Sequence, residues 1–257
     1  METITSRHNA LLIHLRKLCS SRSYRRRCGE YACDGVKLLD EALRWNAPIK
    51  TVLLSEGVEA PALPDGVRAA YLSEELMRFV SPAETPQGAL FTAAIRGCAP
   101  PERLPAGRYL ALDGVQDPGN VGTVIRTADA FACDAVFLVG ACADLYNPKT
   151  VRATMGAVFR QQVWTCTAEE LGRLLRESGI PLLGAALRGD TVPLGEAKLS
   201  GCAVAVGSEG GGLSEELLAY CKATVRIPMR ERCESLNAAV AASVLLWEMA
   251  RSDSALR

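Results

Sequence analysis

A short apolar run that ends in a glycine cluster constrains this chain more than any other stretch. Residues Ala203 to Leu213 read Ala-Val-Ala-Val-Gly-Ser-Glu-Gly-Gly-Gly-Leu, and Ser214-Glu215-Glu216 follows with the pattern of a capped helix start. The apolar half predicts a strand buried on both faces, as in a parallel sheet. Because glycine has no Cβ, the second half lets another group approach the main chain. The succession is typical of a ligand loop at the carboxyl end of a parallel sheet, although a tight turn without a ligand fits the glycines alone equally well.

Length and composition fit a globular protein. The 257 residues suit one large domain or two small ones, and 49% hydrophobic with 23% charged residues is ordinary for a soluble chain. The formal net charge is zero, so a site for a polyanion has to be a local patch. No apolar run reaches the roughly 18 residues of a membrane span and no secretory signal opens the chain, so we expect a cytoplasmic protein with no membrane partner.

The cysteines and histidines do not indicate a metal site. The ten cysteines include no Cys-x-x-Cys pair, and we expect them to be reduced thiols. Cys28 and Cys33 lie nearest each other, but no further cysteines or histidines complete a set of four ligands. His8 and His14 are the only histidines, and their spacing puts them on different sides of a helix. We therefore expect no bound metal and no histidine-based catalysis.

The order of patterns predicts four segments. Residues 1–30 form a basic helical extension, in which Leu11, Leu12, Leu15 and Leu18 recur at helical spacing. Its charge run fits a solvated face, with contact to a phosphate backbone as the alternative. Residues 31–97 predict a small α/β domain, 98–107 a proline-rich linker, and 108–257 a doubly wound parallel sheet.

The last predicted helix, from Ser235 to about Arg251, is apolar on nearly all sides. Such a helix has to be covered on more than one side, which favours a homodimer that shares it.

Three clusters in the last segment could carry chemistry. They are Asp117 to Arg126, Gly207 to Gly212, and Ile227-Pro228-Met229 with Ser235-Leu236-Asn237. On a helix, Gly119, Gly122 and Arg126 share one face, which would leave bare backbone beside a guanidinium. Ser235 is placed to cap the last helix, whereas Asn237 in an apolar first turn needs hydrogen-bond partners.

Common catalytic templates do not fit these clusters. Ser208 lacks the glycine two residues earlier that a nucleophile elbow requires, and no histidine follows His14. The carboxylate of Glu209 makes its loop a poor phosphate cradle, which argues against a nucleotide-binding α/β enzyme.

The three clusters resemble the motifs of the SpoU (TrmH-type) family of RNA ribose 2′-O-methyltransferases, in the SPOUT superfamily. The matching stretches are Asn120-x-Gly122-x-x-x-Arg126, Gly207-Ser208-Glu209-Gly210-Gly211-Gly212-Leu213, and Ile227-Pro228-Met229 with Ser235-Leu236-Asn237-Ala238-Ala239-Val240-Ala241. The resemblance covers Tyr109 to Arg251. It extends more weakly over Tyr31 to Ile95, which looks like the family's small substrate-binding domain.

The resemblance implies an α/β protein with a C-terminal parallel-sheet SPOUT domain containing a deep trefoil knot, preceded by a small α/β substrate-binding domain of the ribosomal-protein L30e-like type. It also implies S-adenosylmethionine as cofactor, an RNA substrate and a homodimer. Cofactor binding would fall to Leu187, Gly207, Glu209, Gly210, Ile227, Met229, Leu236 and Asn237. The catalytic, acceptor-site residues would be Arg126, Asn120, Glu209, Ser235 and Asn237. In that setting the basic extension offers four RNA contacts: Arg22, Arg25, Arg26 and Arg27.

Two readings of the function stay open at this point. The first is a methyltransferase acting on 23S ribosomal RNA, favoured because the separate N-terminal domain resembles that of ribosomal members, with transfer RNA as the other substrate. The second is a non-catalytic RNA-binding or ribosome-assembly factor that kept the fold.

Overall fold

The computed structural model describes residues 2–186, 191–230, 232–233 and 235–252. The chain divides into two compact units, Met1–Gly97 with Asp144–Phe159 and Cys98–Ala143 with Arg160–Arg257. No sequence signal indicated that the segment 144–159 belongs with the first unit. The bounds of the four predicted segments stay predictions.

The first unit is built on one mixed sheet. Within the described residues, five strands form it in the order β1-β4-β3-β5-β2. The strands β1, β4 and β3 run parallel, and β5 runs antiparallel to both β3 and β2. The strands are β1 (Glu2–Ile4), β2 (Glu30–Asp34), β3 (Ile49–Ser55), β4 (Arg68–Leu72) and β5 (Ala89–Ala94). The helices are α1 (Ala10–Ser20), α2 (Arg22–Cys28), α3 (Val36–Arg44), α4 (Glu74–Val80) and, from the segment 144–159, α6 (Pro148–Ala153).

The N-terminal extension contains the helix that its amphipathic pattern predicts. The four leucines that recur at helical spacing in α1 are all buried, in one cluster with residues of β3, β4 and α4. Asn9 begins the helix, since its side chain accepts a hydrogen bond from the N–H of Leu11 at 2.9 Å. In α4 the cap is Ser73, whose side chain accepts a hydrogen bond from the N–H of Leu76.

The second unit confirms the predicted parallel sheet. Its seven strands, counted over the described residues, have the order β10-β12-β9-β11-β6-β7-β8, and all the pairs are parallel. The strands are β6 (Tyr109–Asp113), β7 (Ala135–Val139), β8 (Val163–Cys166), β9 (Leu182–Ala185), β10 (Val192–Pro193), β11 (Ala203–Gly207) and β12 (Ala223–Arg226). The helices are α5 (Pro118–Ala130), α7 (Ala168–Glu177), α8 (Glu215–Leu218) and α9 (Ala238–Ser252).

Burial explains which strands the sequence revealed. The central strands β6, β7 and β11 are buried at every position, and a strand buried on both faces needs a continuous apolar run. The edge strand β8 is only partly buried and β10 has two residues, so neither carries a clear pattern.

Local capping residues also begin two helices of this unit, α5 and α7. Asp117 caps α5 ahead of a proline in the first turn, and Thr167 with Glu170 forms a reciprocal capping box on α7. In the part of the chain that the structure describes, no helix is both long enough and apolar enough to cross a lipid bilayer.

Candidate active site

A cavity of about 450 Å³ lies where the strands β9, β11 and β12 reach their carboxyl ends. This volume is within the range of small-molecule sites, roughly 300–1,000 Å³. Five of the predicted cofactor residues line it: Gly207, Glu209, Ile227, Met229 and Leu236. Gly210 and Asn237 are not among its lining residues, and Leu187 lies outside the described residues.

The cavity also has walls that sequence reasoning missed. Ala185 and Ala186 contribute from the end of β9, and Ala238 and Ala241 from the first turns of α9. Small apolar side chains carry no chemical signal in a sequence, so only their position in the fold identifies them.

The glycine turn is a tight hairpin against which the end of β11 packs. Ser208 and Gly212 exchange two backbone hydrogen bonds, with N–H to carbonyl distances of 3.1 and 2.9 Å. A Cβ added at Gly207 would lie 1.9 Å from the carbonyl carbon of Gly212 and 2.3 Å from the nitrogen of Leu213. Gly212 has a φ of +64°, the left-handed conformation that glycine adopts without strain. Both glycines are therefore required by the backbone itself.

A buried aspartate anchors the far end of this hairpin. Asp113 ends β6 in register with Gly207, and its carboxylate accepts a hydrogen bond from the N–H of Ser214 at 2.7 Å. The hydroxyl of Ser214 in turn accepts from the N–H of Leu217, as the predicted helix start required. An acid at the end of an otherwise apolar strand is the one signal that could have singled out Asp113.

Three predicted site residues from three motifs are hydrogen-bonded to one another. The side-chain amide of Asn120 donates to the carboxylate of Glu209, and the amide of Asn237 donates to Asn120 Oδ1 at 3.1 Å. Asp117 fixes the first turn of α5 that carries Asn120, by accepting from its N–H at 2.8 Å. The fold thus brings together residues that lie as much as 117 positions apart.

Asn237, and not Ser235, caps the last helix. The expectation that Ser235 would do so is wrong, because α9 begins at Ala238 and Asn237 Oδ1 accepts from the N–H groups of Ala239 and Val240. Asparagine and serine are comparable caps, so composition could not decide between two candidates two residues apart. Ser235 instead lines the cavity.

Arg126 is exposed on α5, near the middle of the helix. It makes no hydrogen bond or ion pair with any residue that the structure describes, so its guanidinium is available to a ligand. The opposite side of α5 is an apolar stripe of four fully buried residues: Val121, Val124, Ile125 and Ala128. Gly122, which we expected to leave bare backbone beside Arg126, is buried with that stripe.

The four predicted RNA-contacting arginines have different environments in the first unit. Arg25 is buried: its Nη1 donates to the carbonyl of Leu18 at 2.6 Å, and its Nε donates to Asp144 Oδ2 at 3.2 Å. That burial gives Arg25 a structural role and leaves it no surface for RNA. The other three, hereafter the exposed α2 arginines, are Arg22, Arg26 and Arg27.

Two thiols of the second unit are too deeply buried to act as nucleophiles. Burial raises the pKa of Cys133 and of Cys166 to about 12, so both are neutral near pH 7. Among the described residues, no three or more histidine, cysteine, aspartate or glutamate side chains group as a metal site would require.

A parallel sheet with a cavity at the carboxyl ends of its strands is typical of ligand-binding α/β domains. The second unit belongs to this class, and the first unit is smaller and built on a mixed sheet. Comparison with known families and structures makes the assignment specific. Residues 107–247 match the SpoU rRNA Methylase family, and residues 9–90 match the MRM3-like substrate binding domain. The chain belongs to the SpoU rRNA methylase family, and the resemblance seen in its three motifs is confirmed.

Relatives match over nearly the whole chain. The 23S rRNA (guanosine(2553)-2'-O)-methyltransferase RlmP of Bacillus subtilis is 33% identical, covering 97% of this chain and 99% of its own length. The 23S rRNA (uridine(2479)-2'-O)-methyltransferase of Streptomyces viridochromogenes is 30% identical, covering 96% and 91%. The AdoMet-bound rRNA methyltransferase from Sinorhizobium meliloti superposes with a TM-score of 0.85 at 29% identity, covering 97% of each chain.

Proposed function

We propose that this protein transfers a methyl group from S-adenosylmethionine to a ribose 2′-hydroxyl of 23S ribosomal RNA. The observation that carries the proposal is the cavity at the carboxyl ends of β9, β11 and β12, lined by residues of two family motifs and joined to the third through Asn120 and Glu209. Relatives that match this chain almost end to end are named as 23S rRNA 2'-O-methyltransferases.

The residues of the cavity fit such a cofactor. Val206, Ile227 and Leu236 offer apolar surface to a flat ring, while Glu209 and Ser235 offer polar atoms. Gly207 lines the cavity as well, at a point where the main chain leaves no room for a Cβ. When bound, S-adenosylmethionine supplies an electrophilic methyl group on its sulfonium sulfur.

Arg126 is the residue that we assign to the acceptor ribose. A guanidinium holds its proton firmly at neutral pH, so using it as a base would be costly. Its planar fork suits the phosphate next to the ribose, and its charge stabilises the alkoxide that develops as the 2′-hydroxyl releases its proton to solvent. RNA is the substrate because DNA lacks that hydroxyl.

Replacement of Arg126 separates this role from cofactor binding. Arg126→Ala should abolish methyl transfer and leave the affinity for S-adenosylmethionine nearly unchanged, as measured by calorimetry. Arg126→Lys should stay poor, because a point charge cannot replace a planar fork. Arg176→Ala, which removes an exposed arginine in the last turn of α7, is the matched control and should retain full turnover. Loss of turnover and of cofactor affinity together in Arg126→Ala would contradict this division of roles.

The target and the catalytic competence have their own tests. Mapping of 2′-O-methyl sites in RNA from cells with and without the gene should reveal one missing site in 23S rRNA. A missing site in transfer RNA would instead identify transfer RNA as the substrate. If the protein bound RNA but neither bound S-adenosylmethionine nor methylated the RNA, the non-catalytic factor would be favoured.

We assign RNA contact in the first unit to the face that carries the exposed α2 arginines. Two cations lie over the ring of Tyr24 on α2: the guanidinium of Arg27 is 5.0 Å from the ring centre, and the ammonium of Lys17 is 5.7 Å from it. Such stacking holds long side chains in place while their charge still faces solvent.

The working form is a homodimer in the cytoplasm, with the trefoil knot that the family resemblance implies. Val240 and Trp247, on the otherwise largely buried helix α9, are each 49% exposed, which supports coverage by a second copy. Light scattering should give a mass near twice the 27.5 kDa of the chain, and Trp247→Glu should lower it.

A further inference from the structure

The hydrogen bonds among Asn237, Asn120 and Glu209 have a fixed direction. Asn237 Oδ1 accepts from the N–H groups of Ala239 at 2.9 Å and Val240 at 3.3 Å. The first turn of a helix presents only donors, so the oxygen of Asn237 has to point at α9. Its amide nitrogen is then left to face Asn120.

The orientation of Asn237 also determines the orientation of Asn120. The amide of Asn237 donates to Asn120 Oδ1, which leaves the amide nitrogen of Asn120 to donate to Glu209. A carboxylate oxygen only accepts hydrogen bonds. The donors at the start of α9 and the acceptor at Glu209 therefore both require the same orientation of the two amides. If either amide were flipped, two acceptors or two donors would face each other.

We infer that Asn237 is a positioning residue that acts on Glu209 through Asn120, a role that rests on the proposed function. Asn237 is not part of the cavity lining, whereas Glu209 is, and the hairpin that carries Glu209 supplies four lining residues: Ser208, Glu209, Gly211 and Gly212. The start of α9 thus holds this wall of the cavity at a fixed place. Within the described residues Asn120 is the only hydrogen-bond partner of Glu209, so its second oxygen can accept from a hydroxyl or amino group of a bound ligand.

One substitution breaks the relay without removing the cap. Aspartate caps helices as well as asparagine does, so Asn237→Asp still accepts from Ala239 and Val240. It cannot donate to Asn120, whose single amide nitrogen then has carboxylates on both sides. Glu209→Gln removes this conflict, because the new amide can donate to Asn120 and allow it to flip.

The test is a double-substitution cycle on N237D and E209Q, with N237A as the variant that loses the cap as well. Calorimetry with S-adenosylmethionine gives the affinity, and urea unfolding gives the stability. We expect N237D to weaken the affinity about tenfold in the presence of Glu209, the effect of losing one hydrogen bond to a charged group. In the E209Q background the same change should cost about twofold or less. The urea midpoint should likewise fall with N237D only when Glu209 is present, while N237A lowers it in both backgrounds.

Equal losses of affinity in the two backgrounds would overturn the inference, because position 237 would then act independently of position 209. Coupling in stability without coupling in affinity would also overturn it, since the relay would then be structural only. Failure of the unsubstituted protein to bind S-adenosylmethionine would instead sink the proposed function, and the unfolding cycle would still decide whether the relay exists.

Discussion

Substitution of Gly207 by alanine tests the tight hairpin on which the cavity depends. The added methyl would lie 1.9 Å from the carbonyl carbon of Gly212 and 2.0 Å from its oxygen, both of them backbone atoms that cannot rotate away. Relieving such an overlap costs about 1–3 kcal/mol. It also opens the two backbone hydrogen bonds between Ser208 and Gly212, at about 1 kcal/mol each.

These contributions amount to about 3–5 kcal/mol. For a domain of this size that lowers the melting temperature by roughly 6–20 °C. The matched control is Gly210→Ala in the same turn, where an added Cβ would meet nothing within 4 Å. We expect its melting temperature to be unchanged or slightly raised.

The assay is thermal melting followed by circular dichroism, together with calorimetry using S-adenosylmethionine. Gly207→Ala should weaken cofactor binding at least about tenfold, because the hairpin forms part of the cavity wall. If the two variants have the same melting temperature and bind the cofactor equally well, residue 207 does not approach Gly212 this closely in solution, and the reasoning is refuted.

Further predictions concern the arginines and the thiols. Arg25→Ala should cost about 3 kcal/mol in urea unfolding, because the carboxylate of Asp144 then keeps, among the described residues, only the half-exposed Arg22, 3.8 Å away, as an ionic partner. Exposed Arg26→Ala should stay within about 0.5 kcal/mol, and equal losses would contradict the buried pair. Neutralising all the exposed α2 arginines should reduce the steepness of log RNA affinity against log salt concentration by about 0.7–0.9 per lost phosphate contact. An unchanged slope would mean that these arginines face solvent and do not contact RNA. At pH 8 a thiol reagent should label exposed Cys233 at once and Cys133 only on unfolding, because burial raises the pKa of Cys133 to about 12. As the pH rises from about 9 toward 12, the thiol of Cys133 ionises in the unfolded chain but not in the folded one. Cys133 should therefore lower the free energy of unfolding over that pH range. A Cys133→Ala variant, unfolded at the same pH values, should lack this decrease.

The amino-acid sequence by itself determined the parallel sheet and the segments that build the site. The central strands are continuous apolar runs because both of their faces are buried, and the starts of α5, α7 and α8 carry their own capping residues. These signals are local: each depends on residues within a few positions of one another, so spacing alone reveals them. The motif order then indicated the family.

Only the tertiary structure decided which of those residues meet. The partners Asn237 and Asn120 are 117 positions apart, and Arg25 and Asp144 are 119 apart. The basic run gave no sign that one of its arginines is buried, because burial depends on a segment that lies far along the chain. Long-range contacts of this kind also brought the three members of the amide relay together. A sequence lists donors and acceptors, but only the folded chain sets which of them face each other.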